Sequence, residues 1–355
     1  LMKLSRRVFL GTGTAATVVA LGQLRRQKPA MAQFGRNRGN VVNLYTSRHY
    51  DADDELYEAF AEATGIRVNV VEADADQLIE RIKAEGANSP ADLLMTVDAG
   101  RLWRAQQEDI FEPVDSSVLT DAVPENLRHP DNLWFGLTKR ARVIMYNKDA
   151  VDPSELSTYE ALADPKWQGR ILVRTSTNIY NQSLVGSLIA AHGSDDTEDW
   201  ARDFVANFAR EPQGNDTAQI KSAAAGLGDI AIANTYYLAR LARSDDPADQ
   251  EVAEKMRVFF PNQNGRGTHV NISGAGLIKT APHPEAAIQF LEFLVSPEAQ
   301  EIFANSNNEY PVVEGVATNS VVADFGDCKE DSLSAEVFGE NNPEALRVTD
   351  RAGWK

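Results

Sequence analysis

Two adjacent phenols stand in the run Asn234-Thr235-Tyr236-Tyr237-Leu238-Ala239-Arg240. The residues before them, Asp229 and the apolar Ile230-Ala231-Ile232-Ala233, read as a short buried strand. Asn234 or Thr235 can cap the helix that follows, which puts both tyrosines in its first turn. Successive helical residues point about 100° apart, so two such rings reach one crevice only near a helix end. Arg240 lies four residues past Tyr236 and three past Tyr237, spacings that make neighbours on a helix surface. Phenols and a guanidinium arranged this way can bind a cation, stack on a sugar, or pack as interior.

Two other junctions repeat the pattern. His49-Tyr50 follows the strand-like run 41–46, and Tyr180 follows Ile171-Leu172-Val173. In open α/β sheets, ligands bind where strand carboxyl ends meet helix starts. Four tyrosines and one histidine therefore converge where a two-lobed α/β protein lines its cleft. Phenolate oxygen is a hard anionic donor that suits ferric iron, whereas calcium and magnesium prefer carboxylates and water. Free phenols ionise near pH ~10, so a bound metal has to supply the energy of deprotonation. Four phenolates on Fe(III) leave one negative charge, which Arg240 on the next turn can offset. The same residues also fit a sugar, polyamine or organic anion stacked on the rings. An exported iron metalloenzyme is a third reading. It is opposed by the absence of dinucleotide or hydrolase motifs and by a donor set that leaves no open metal position.

The N-terminus and composition bear on where this happens. Ser5-Arg6-Arg7-Val8-Phe9-Leu10 is a twin-arginine pattern, followed by a mildly apolar run and Ala30-Met31-Ala32, so residues 1–32 are expected to be an export signal. The apolar run is too short and too rich in Gly and Thr to span a bilayer. A formal charge of −17 disfavours nucleic acid and anionic membranes. Cys328 is the only cysteine, which removes disulfides, thiolate metal sites and a lipidated cleavage site. A soluble, unlipidated periplasmic protein is the expectation.

The elements that must position the site alternate strand and helix with short connections, which predicts α/β architecture with a mostly parallel sheet. Strands are expected at 41–46, 66–70 and 91–97, with Asp51 capping a helix that stops at Gly65. Extended runs at 142–146 and 270–273 read as crossings between lobes. A helix from about Thr158 opens the second lobe, others are expected at 200–208, 218–225 and 285–295, and the last forty residues read as irregular except near Ser334. The divisions are 41–138 for the first part of the N-terminal lobe, 139–268 for an inserted α/β lobe, and 269–315 for a return to the first lobe. Residues 316–355 form a C-terminal segment expected to pack on the second lobe.

The run Ser47-Arg48-His49-Tyr50, with Tyr180-Asn181-Gln182-Ser183 and Asn234-Thr235-Tyr236-Tyr237, resembles the cyanobacterial Fut-type ferric-iron-binding proteins. Trp134-Phe135-Gly136, Lys139-Arg140-Ala141-Arg142 and Phe259-Phe260-Pro261-Asn262-Gln263 extend the resemblance along the chain. It implies a two-lobed type II periplasmic-binding-protein fold, a Venus flytrap with crossing hinge strands. It also implies Fe(III) as bound cargo, the ligands His49, Tyr50, Tyr180, Tyr236 and Tyr237, and delivery to an ABC permease in the inner membrane. The chain is expected to be a monomer, to bind no nucleic acid and to catalyse no reaction. Tyr146 reads as a hinge residue, His269 as loop or hinge structure, and His129, His192 and His283 as solvated loop residues. Arg140 and Arg142, near the crossing, could neutralise a charge in the cleft, with a surface ion pair as the default reading, and Asp98-Ala99-Gly100 reads as a source of backbone N–H groups for the cleft.

Overall fold

The computed structural model describes residues 40–50 and 52–355. The twin-arginine run, the Ala32 cleavage site and the Asp51 cap lie outside the described residues. β1 (Val41–Thr46) is buried along its length and pairs in parallel with β2 (Arg67–Glu72) and β3 (Leu93–Val97). α1 (Asp53–Thr64) and α2 (Ala75–Glu85) make the connections, and Gly65 ends α1 at φ 72°, where a Cβ would be strained. α3 (Ala99–Gln107), β4 (Phe111–Glu112) and α4 (Ser117–Ala122) follow, then the long β5 (Phe135–Asn147).

The second half contains β6 (Ile171–Leu172), α5 (Ile179–His192), α6 (Ser194–Ala206) and α7 (Asp216–Ala224). Next come β7 (Ile230–Asn234), α8 (Thr235–Ala242), α9 (Pro247–Lys255) and β8 (Met256–Phe259). β9 (Val270–Ile278) returns to the first half, which α10 (Pro284–Leu294), α11 (Pro297–Ser306) and β10 (Tyr310–Pro311) complete. α12 (Ser320–Ala323), α13 (Ala335–Glu340) and α14 (Asn342–Arg351) finish the chain.

The strand order is β2-β1-β3-β9-β5-β7-β6, and β5 joins the two halves. Up to Ala141 it pairs with β9; from Arg142 onward it pairs with β7 and β8. Its partners change at the Ala141–Arg142 bond. The sheet is mixed instead of mostly parallel. β5 and β9 run antiparallel to their neighbours because a strand crossing between halves must also run back. One hydrophobic core packs around Leu44, Phe60, Leu94, Trp134 and Phe290. Two others flank the second half, around Trp167, Phe204 and Trp354 and around Val143, Ile220 and Leu238.

Several local expectations change. The helix expected from Thr158 is a series of 3₁₀ turns, Pro153–Glu155, Glu160–Ala163 and Pro165–Trp167. Pro165 bars Asp164 from helical dihedrals, so no longer helix can form. α9, α11 and α14 are helices that the sequence reading passed over. The tail expected to be irregular folds as α12, α13 and α14, with Ser334 capping α13 by accepting from Glu336 N–H. α13 packs on both α3 and α5, and α14 packs on α5 and α6. A Cβ on Gly186 of α5 would lie 2.6 Å from the Phe338 carbonyl oxygen, so only glycine admits this close approach. Tyr146 is buried in a core as part of β5.

Candidate functional site

β7 is fully buried, and the chain leaves the sheet after Asn234 to start α8. Tyr236 is buried and Tyr237 half-buried, their ring centroids 4.3 Å apart. Tyr180 stands in the first turn of α5, where Asn178 caps the helix by accepting from Tyr180 N–H at 3.1 Å. The Tyr236 hydroxyl lies 3.5 Å from the Tyr180 hydroxyl. Tyr50, just past β1 in the other half, brings its ring edge-on to Tyr236 at 6.4 Å. Four phenols from three strand–helix junctions thus meet in one cluster. His49 is the exception. Its side chain is 58% exposed, its Nδ1 lies 3.3 Å from Glu72 Oε2, and it makes no hydrogen bond or ring contact with the phenols among the described residues.

Guanidinium groups surround the cluster. Arg240 lies 4.6 Å from the Tyr50 centroid, 5.0 Å from Tyr236 and 5.9 Å from Tyr237. Arg140, Arg142 and Arg174 lie 6.0, 5.9 and 5.7 Å from the Tyr180 ring. Buried Asp216 accepts from Arg142 Nη1 at 3.2 Å and from Arg174 Nη1 at 2.9 Å. Arg142 also donates to Asn181 and to Asn234, whose side chain therefore serves this arginine and does not cap α8. Arg140 differs. It is buried and donates to Ser273 Oγ at 3.1 Å, but its Nε and Nη2 find no partner among the described residues.

Burial raises the pKa of Tyr50, Tyr236 and Tyr237 above the ordinary phenol value. At Tyr50 and Tyr236 the neighbouring phenols push in the same direction, and Glu309 adds to the effect at Tyr50. The charges of Arg48 and Arg140 at Tyr50 and of Arg140 at Tyr236 oppose the rise, while at Tyr237 the hydrogen bond with Tyr236 opposes it. Burial works to lower the Arg140 pKa, but the phenols and Glu309 outweigh it and leave it raised. Among the described residues no group of three or more His, Cys, Asp or Glu side chains could hold a metal ion. The cluster's chemistry is accordingly that of phenol oxygen: neutral and protonated by default, anionic only when a strong cation replaces the protons.

Other expectations need correction. Arg140 and Arg142 are each 1% exposed and face the phenols, so neither is a surface ion-pair residue. Both lie where β5 crosses between halves, a position enclosed on every side. His269 stands in the loop before β9, as expected, but it is buried against Phe338, and burial together with Arg266, Arg142 and Arg140 pushes its pKa down to about 3. His129 is buried beside Trp134 and Glu336, and half-buried His283 donates its backbone N–H to Asp92. Of the three histidines expected to be solvated, only His192, paired with Glu160, is substantially exposed. The Ala99 and Gly100 N–H groups are engaged internally by Asn271 and Asp98. Sequence reading missed Arg174, Asp216 and Glu309, which carry no motif and reach the cluster only through tertiary packing.

Comparison with known proteins adds an independent line. The family model for bacterial extracellular solute-binding protein matches residues 55–327. Iron uptake protein A1 of Synechocystis sp. is 57% identical over 357 residues, covering 99% of each chain. A solved structure described as Trichodesmium (IdiA) (FutA) in complex with iron and citrate ligands superposes with a TM-score of 0.87 at 63% identity, covering 89% of this chain and all of that one. The ferric binding protein from Campylobacter jejuni superposes at 0.84 with 41% identity, covering 88% and 100%. The two-lobed α/β fold of type II periplasmic binding proteins is shared with these structures.

Proposed function

The chain belongs to the bacterial extracellular solute-binding proteins, and from that premise we propose that it captures ferric iron between its lobes and delivers it to an ABC-type iron permease. The observation that carries this reading is the meeting of four phenols from both halves within a ring of guanidinium groups. A relative at 57% identity bears the name of an iron uptake protein, and a structural neighbour at 63% identity was solved with iron and citrate. Tyr50, Tyr180, Tyr236 and Tyr237 supply phenolate oxygens, and His49 supplies an imidazole once it turns from Glu72 toward the cluster. Four phenolates and Fe(III) carry one net negative charge. Arg140 and Arg240, which form no ion pair with a carboxylate among the described residues, are placed to offset it. The protein acts as a monomeric, unlipidated periplasmic carrier, exported by the twin-arginine segment, and catalyses no reaction.

The test is a titration with ferric citrate. Iron bound to phenolate absorbs broadly in the visible, so loading should colour the protein. Because burial holds Tyr50, Tyr236 and Tyr237 protonated, loading should release about four protons near neutral pH. The sign follows directly: protons occupy these oxygens only in the iron-free form, so affinity rises with pH and collapses in acid. Tyr236→Phe or Tyr237→Phe removes one oxygen with little change in volume and should weaken binding and shift the band. A colourless protein, or a count of zero or one proton, would mean that the cargo is something else.

A further inference from the structure

One buried cation beside the cluster is not used by the ligand set. Arg48, two residues before Tyr50, is 1% exposed. Its Nε donates to Asp53 Oδ2 at 2.7 Å and its Nη2 to Asp53 Oδ1 at 3.0 Å, a two-pronged grip on the first turn of α1. The same Nη2 donates to Glu309 Oε2 at 3.0 Å, just before β10. Glu309 accepts in turn from the Thr138 hydroxyl on β5 at 3.0 Å, and Asn307 donates to Asp53 at 2.8 Å. Both carboxylates are buried, so the group is an arginine held in one plane by two acids. The Arg48 Cζ lies 4.6 Å from the centroid of the Tyr50 ring.

Removing three charges from water is costly, and similar apolar packing would often do as well for stability alone. What this arrangement adds is geometry. A guanidinium fixed at two edges presents a rigid surface to the ring beside it, on a stretch of chain with no regular secondary structure. We propose that Arg48, locked between Asp53 and Glu309, is a positioning residue that holds the Tyr50 ring at the angle from which its oxygen meets the ferric ion. The proposal rests on Tyr50 being a ligand.

A double-mutant cycle tests it, with ferric affinity read by competition against citrate and the visible band read on the same samples. Arg48→Lys keeps the charge but loses the plane and the two-edged grip. It should weaken ferric binding by about tenfold and shift the band, as loss of a group that orients a ligand does. In a Tyr50→Phe background the same substitution should change neither, because the oxygen that it positions is gone. Equal losses in both backgrounds would overturn the proposal and make Arg48 a purely structural residue, as would a wild-type affinity for Arg48→Lys. If Tyr50→Phe alone leaves affinity and band untouched, the ligand assignment itself fails, a distinguishable result. Should Arg48→Lys not fold, Glu309→Gln, which preserves shape and one acceptor, goes through the same cycle. It should give a smaller loss that disappears in the Tyr50→Phe background, and a loss that persists there overturns the proposal.

Discussion

A guanidinium buried with two of its nitrogens unpartnered is an expensive thing for a fold to keep, and Arg140 is one. Its cost is borne in the iron-free protein, where the phenols that offset its burial are protonated, while its positive charge is most useful when those phenols become anionic. The two states should therefore respond oppositely to its removal. Arg140→Met keeps much of the volume and leaves no charged partner stranded, since its one side-chain bond is to Ser273. The iron-free protein should gain stability, on the order of 1 kcal/mol or more by analogy with buried charges replaced by apolar side chains. Ferric affinity should fall by about tenfold or more. Thermal melts of the iron-free form and citrate competition of the loaded form check the two halves. A melting temperature and an affinity that fall together would assign Arg140 to the fold.

At the scale of the element, each phenol depends on how its helix begins. α5 is apolar on most faces and buried, so its packing fixes the axis and leaves the first turn to set the direction of Tyr180. Asn178 does this by accepting from the Tyr180 N–H, and its neighbour Asn181 donates to the Arg174 and Thr175 carbonyls and accepts from Arg142. Asn178→Ala should cost about 1 kcal/mol of stability, the usual value of a lost N-terminal cap. Because the freed turn carries a candidate ligand, ferric affinity should also drop, with the visible band broadened. A Thr or Asp at the same position should restore both, and stability restored without affinity would separate the cap from the site. α8 solves the same problem differently, since Asn234 is engaged by Arg142 and the turn is held by the buried Tyr236 ring.

For the whole molecule, the buried titratable groups set a stability window with two edges. His269 is held neutral with its pKa pushed down to about 3, whereas the unfolded chain binds that proton near 6.5. A depressed folded pKa contributes stability that is present above about pH 6.5 and lost as pH falls toward 3, by at most about 1.4 kcal/mol per pH unit. The phenols set the other edge. Tyr50, Tyr236 and Tyr237 have raised folded pKa values, so their stabilisation is complete below about pH 10 and lost as pH climbs through the folded values. The iron-free protein should melt at lower temperature on both sides. His269→Leu should make the acid limb shallower and leave the alkaline limb unchanged, and Tyr236→Phe should do the reverse. Glu160 on the acid side and Tyr57, Tyr159 and Tyr310 on the alkaline side keep part of each slope. Melting temperatures between pH 4 and pH 11, taken without iron, decide whether the two limbs separate in this way.

What the sequence determined by itself was chemistry and punctuation. Tyr236, Tyr237 and Tyr180 follow buried apolar strands and stand in the first turns of helices, a placement legible locally, while Tyr50 lies in the loop between β1 and α1. Gly65 and Ser334 marked a helix stop and start for equally local reasons, the left-handed backbone at Gly65 and the short polar side chain of Ser334. The tertiary structure alone decided which charges are buried. Arg48 meets Glu309 across 261 residues, and Arg142 meets Asp216 across 74, pairings that no window of sequence contains. It also decided that β5 changes partners at Arg142 and that α13 and α14 pack a tail that reads as irregular. Local propensity is written residue by residue, but the burial of a charge depends on what the rest of the chain places around it. The phenols and Arg240, one turn away on the same helix as two of them, could be read from the sequence; that buried Arg140 and Arg142 and half-buried Arg174 gather around them became visible only once the chain was folded.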